Sequence, residues 1–127
     1  MAVVSRARQH RYRLTTPGRP AVGAPAPDVV LATIESLPRD GHTVLQSLDE
    51  QEVYVQVWFR PDGTYQLELR EGSVATHRQT RTVDRGRVAA AFTAWLDEHS
   101  GDGDARWRDA FDWTDISGSV DDDPPAR

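Results

Sequence analysis

The chain contains no cysteine and no lysine. Without cysteine there can be no disulfide, thiolate zinc site, iron–sulfur cluster or thiol nucleophile. No long apolar run occurs, which excludes a membrane-spanning helix. The sequence has no GxxxxGK[ST] and no GxGxxG, so no glycine-rich phosphate cradle is visible. HExxH is missing too, and none of His10, His42, His77 and His99 has the i, i+4 partner of a helical metal pair. A nucleophile must be held beside a base, and nothing in the sequence around Ser73 or Ser100 marks either as one. Asp102-Gly103-Asp104 opens like a calcium loop, but Arg106 and Trp107 stand where an oxygen ligand and the glycine should be. No catalytic residue, metal site or cofactor is therefore expected.

What is present is one domain's worth of chain, 127 residues, with an uneven charge. All 15 basic residues are Arg. With only two Ile and abundant Ala, Gly, Pro and Asp, this points to GC-rich coding, hence a bacterial source and, with no membrane segment, a cytoplasmic location. Residues 1–27 hold five Arg and no acid; residues 28–96 hold seven Arg and ten acids; residues 97–127 hold three Arg and ten acids. A basic arm, a mildly acidic body and an acidic end follow.

Residues 1–27 read as a disordered basic arm and linker. Prolines at 17, 20, 25 and 27 oppose both helix and central strand. The arginines are not followed by an apolar stretch, so a secretory signal is not expected. A single α+β domain is expected over 28–117, and Gly118 onward reads as a disordered acidic tail. Within the domain, Asp28–Leu37 suits a helix capped by Asp28 with Val30, Ile34 and Leu37 on one side. Thr43–Leu48 suits a strand.

Val53–Glu71 carries the strongest signal. Two alternating runs flank Arg60-Pro61-Asp62-Gly63. Pro presets the first central residue, and Gly takes the left-handed position that makes a bulge. Arg60 then faces Thr64, which pairs Phe59 with Tyr65, Val57 with Leu67 and Val55 with Leu69. The other face pairs Trp58 with Gln66, Gln56 with Glu68 and Tyr54 with Arg70. Ser73–Val83 reads as a polar strand near an edge. Asp84 caps a helix running to about His99, with Val88, Ala91, Phe92, Trp95 and Leu96 as its buried stripe and Val83 stapled onto Val88. Ala105–Ile116, with Trp107, Phe111 and Trp113, reads as a helical turn followed by an extended piece. The expected fold is α+β: an antiparallel sheet of three to four strands packed on one main helix, with a Trp-rich C-terminal segment.

The runs YQLELREG, THRQTRTV, FTAWLDE and WRDAFDWTDIS resemble small proteins common in actinobacteria, to which no activity is tied. The match spans about Val53–Ser117. Size, acidity and architecture are also similar to sheet-plus-helix immunity proteins that neutralise toxins, a fold-level analogy.

Function is expected at the hairpin's outer face, in a non-enzymatic module binding a protein partner. Tyr54, Trp58 and Arg70 are the anchors, flanked by His77, Arg78 and Arg81, because Tyr, Trp and Arg dominate interface energy. The competing structural reading has Trp107, Phe111 and Trp113 covering Tyr54 and Trp58 as a second packing layer. Ser73–Thr82 is an edge open to strand addition. The alternative function is single-stranded nucleic-acid binding through the Arg-rich arm and the same face.

Overall fold

The computed structural model of this protein describes residues 11–116. Strand β1 is Tyr12–Thr15, β2 Val22–Gly23, helix α1 Pro27–Glu35, β3 His42–Ser47, β4 Val53–Phe59 and β5 Tyr65–Glu71. Strand β6 (Arg78–Thr82), helix α2 (Arg85–His99) and strand β7 (Thr114–Asp115) complete the order, with 3-10 turns at Val74–Thr76 and Ala105–Ala110. The fold is α+β. Its sheet is larger than the three to four strands expected: seven antiparallel strands in the order β2-β1-β3-β4-β5-β6-β7. Both outermost strands are only two residues long.

The extra strands come largely from the stretch expected to be a disordered arm. Tyr12 and Leu14 alternate with Arg13 and Thr15, and the first two are buried. Four residues suffice because β3 offers a full partner, from Tyr12–Ser47 to Thr15–Val44. Pro17 and Gly18 (φ +81°) then turn the chain, closed by the Arg19 N–H donating to the Thr16 carbonyl at 3.1 Å. Pro followed by a left-handed Gly is the type II signature, so these residues return the chain as β2. The rest of the arm (residues 1–10) and the tail expected from Gly118 lie outside the described residues.

The β4–β5 hairpin has the register that its turn dictates, all seven pairs from Val53–Glu71 to Phe59–Tyr65. The Arg60 N–H meets the Thr64 carbonyl at 2.8 Å, and Gly63 sits at φ +90°. One face of this hairpin (Val55, Val57, Leu67, Leu69) is fully buried with Val30 and Ile34 of α1 and Val88, Phe92 and Trp95 of α2. Each such side chain contributes about 1.5–3 kcal/mol before entropy is subtracted.

Helix α2 starts as expected, with the Asp84 carboxylate accepting from the Gly86 and Arg87 N–H groups. The staple does not form: Val83 is 78% exposed. Helix α1 has Ala26 as its cap and Pro27 in its first turn, so Asp28 lies one residue inside the helix instead of capping it. There its charge still complements the positive end of the helix.

The C-terminal segment docks on α2. The Trp107 indole and Arg108 both donate to Glu98, at 2.9 and 2.8 Å, and Arg108 also pairs with Glu71. Trp113 meets Trp107 edge-on at 6.1 Å, and Arg87 stacks on Phe111. Strand β7 pairs with the start of β6, and the Ile116 N–H donates to the His77 carbonyl.

Burial alone would raise the Glu98 carboxyl. Hydrogen bonds from Arg108 and Trp107, together with the Arg108 charge, outweigh it and hold the carboxyl below the ordinary glutamate range. A carboxylate lowered by folding contributes stability above its unfolded value and loses it as pH falls through the folded value. An acid titration followed by tryptophan fluorescence should therefore show this segment loosening at the acid end. Glu98→Gln should lose that part of the pH dependence; an unchanged acid slope would show that Glu98 does not anchor the segment.

Candidate functional site

Both helices contribute to a single core that lies on one face of the sheet. The opposite, outer face is organised as three rungs crossing the strands. One runs Arg13–Gln46–Tyr54–Arg70, a second Thr15–Val44–Gln56–Glu68–Gln79, and a third His42–Trp58–Gln66–Arg81. The alternation of each strand places these side chains together.

At the centre lies Glu68, fully buried. Its Oε1 accepts from Gln56 Nε2 at 3.0 Å and from His77 Nε2 at 2.6 Å, and its Oε2 from Gln66 Nε2 at 2.6 Å. Arg70 donates through Nε to His77 Nδ1 at 2.8 Å and through a terminal nitrogen to Glu52 at 2.7 Å. Arg60 donates to Gln66 Oε1. Guanidinium can only donate, so His77 Nδ1 is the acceptor and the ring proton sits on Nε2, facing Glu68. Both nitrogens of His77 are thus taken up, and this imidazole joins Glu68 to Arg70. Gln56, Gln66 and Glu68, polar residues of the hairpin's outer face, form a buried network. Their pairing followed from the register, but polar residue types gave no sign of burial.

Around this network stand the expected anchors. Tyr54 is half-buried, with the Arg70 guanidinium 5.6 Å from its ring and His77 edge-on at 6.0 Å. Trp58 is half-buried too. Its indole N–H donates to Asp40 at 2.9 Å, and Arg60 lies over the ring at 4.5 Å. The Trp107–Trp113 segment does not reach Trp58: it packs against α2, so the covered-layer reading fails. Arg81 is exposed on the same face. Arg78 is not a flanking residue. It pairs opposite Leu69, on the other parity, where it holds Glu71 and lies against Trp113 at 5.8 Å. His77 flanks the anchors only from beneath, being 2% exposed. The edge expected open over Ser73–Thr82 is partly closed: Val74–Thr76 forms a 3-10 turn and β7 occupies Arg78 and Gln79.

Among the described residues, no group of three His, Asp or Glu side chains could hold a metal ion, and no helix is long and apolar enough to cross a membrane. No family model, curated protein or solved structure matches the chain. The outer face is therefore read from its own residues.

Proposed function

We propose that this protein is a non-enzymatic accessory module, acting in a bacterial cytoplasm, that binds a protein partner through the outer face of its sheet. One observation supports this reading above the others. The face turned away from the helices carries Tyr54, Trp58 and Arg70 already fixed by hydrogen bonds, stacking and ion pairs. Side chains held before contact lose little freedom on binding. Arg13 and Arg81 extend the same face at its two sides, exposed and with no ion pair to another described residue. An acidic partner surface would complement them.

Arg81 separates binding from folding, because an exposed substitution there costs within about 0.5 kcal/mol of stability. Arg81→Glu should abolish capture of a partner that the wild-type chain retains from native lysate, with an unchanged melting temperature. Trp58→Ala should weaken capture by about 2 kcal/mol, the size of an interface hot spot. Capture that survives both substitutions would defeat the proposal. So would binding of a labelled single-stranded oligonucleotide at low salt that Arg81→Glu removes, which would give the face to nucleic acid.

A further inference from the structure

Beside the Trp58 anchor, the outer face contains a cavity of about 480 Å3. That lies within the range of about 300–1,000 Å3 usual for small-molecule sites. It is a trough along β3. Val44 forms the floor, with His42 and Gln46 before and after it on the same strand. Thr15 and Pro17 rise on the β1 side, and Tyr54 and Gln56 on the β4 side. Strands β1 and β4 are two strand spacings apart, about 10 Å, which leaves room for one flat ring between the walls.

Its chemistry is specific. No Arg, Lys, Asp or Glu lines it, and most of its surface is apolar. Gln56, 2% exposed, has its Nε2 on Glu68, and its Oε1 makes no hydrogen bond to another described residue. The amide cannot turn over without aiming its oxygen at a carboxylate, so it offers the cavity a fixed acceptor. Gln46, half-buried, makes no side-chain hydrogen bond to a described residue, so its amide can donate. Tyr54 has Arg70 and His77 on its other flank, which holds the ring as a wall.

We infer that this trough is a binding site for a small, flat, uncharged ring bearing a carboxamide, whose N–H meets Gln56 Oε1 and whose carbonyl meets the Gln46 amide. An ionised ligand would be left without a counter-charge in a mostly apolar site. The trough shares its Tyr54 wall with the proposed partner face, but its assignment does not rest on a partner being bound.

Benzamide, benzoate and cyclohexanecarboxamide are matched probes, differing in charge or in flatness. In an NMR titration of the full chain at neutral pH, benzamide should saturably shift the amide signals of residues 42–46 and 54–56 at millimolar concentration. Benzoate and cyclohexanecarboxamide should each bind about tenfold more weakly or not at all. Val44→Phe suits a strand and fills the floor, so its spectrum should stay dispersed while the benzamide shifts vanish. If that variant does not fold, Gln46→Ala replaces it and should weaken binding several-fold. Non-saturating benzamide shifts, equal binding of the three probes, or shifts that persist in a folded Val44→Phe or Gln46→Ala variant would overturn the assignment.

Discussion

Replacing Glu68 by Leu should destabilise the protein by about 3–5 kcal/mol, read as a lower urea midpoint at unchanged slope. The carboxylate is fully buried and accepts from Gln56, Gln66 and His77. Removing it strands three donors at once, each costing about 1–3 kcal/mol if water does not replace the acceptor. Against a typical total of about 5–15 kcal/mol this is a large share. Glu68→Gln should cost less but not be neutral, because its NH2 group would face donors where the carboxylate had only lone pairs. It should also release Gln56 and so weaken the benzamide site. A near-neutral Glu68→Leu would mean that water reaches the sheet centre and that the anchors are not rigidly held.

Trp95 provides the second large effect, through a contrast between two substitutions. The ring is fully buried, stacked on His99 at 4.2 Å and meeting Tyr12 edge-on at 5.8 Å. Tyr12 in turn donates its hydroxyl to the His99 carbonyl at 2.6 Å, so this cluster joins β1 to the end of α2. Trp95→Ala should cost about 3–5 kcal/mol through the cavity it leaves. The indole Nε1, however, is buried without a hydrogen-bond partner among the described residues. Trp95→Phe removes that unsatisfied donor, and the relief of about 1–3 kcal/mol offsets much of the lost ring area. Phe should therefore fall within about 1 kcal/mol of wild type in equilibrium unfolding, a small effect by the scale of core substitutions. Equal losses for Ala and Phe would show that the indole N–H is paired after all.

Where local and longer-range signals agreed, the chain could be read directly. Pro61-Asp62-Gly63 and the flanking alternation each specify the same pairing, and a slip by one residue would have turned Val55, Val57, Leu67 and Leu69 outward. Asp84 and the stripe from Val88 to Leu96 reinforce each other in the same way. Strand β1 escaped because its alternation spans only Tyr12–Thr15 and its arginines resemble those of a tail; β3, far along the chain, makes it a strand. The site divides similarly. Register placed Tyr54, Trp58 and Arg70 on one face and Gln56 opposite Glu68. Burial of Glu68, the use of both His77 nitrogens and the trough over Val44 depend on how β1, β3 and β6 surround the hairpin, which residue types do not encode. Arg78 was misplaced because the parity of β6 is set by its pairing with Leu69, and a strand polar on both faces gives no hint of which side turns inward.

The shortness of β2 and β7 has a consequence for the protein in crowded solution. A sheet grows by edge-to-edge pairing when its outermost strand leaves a long row of free amides and carbonyls. Two-residue ends give an incoming chain almost nothing to grip, and beyond β7 only residues 80–82 of β6 lack a described partner strand on that side, so concentrating this protein should leave it dispersed instead of seeding fibres.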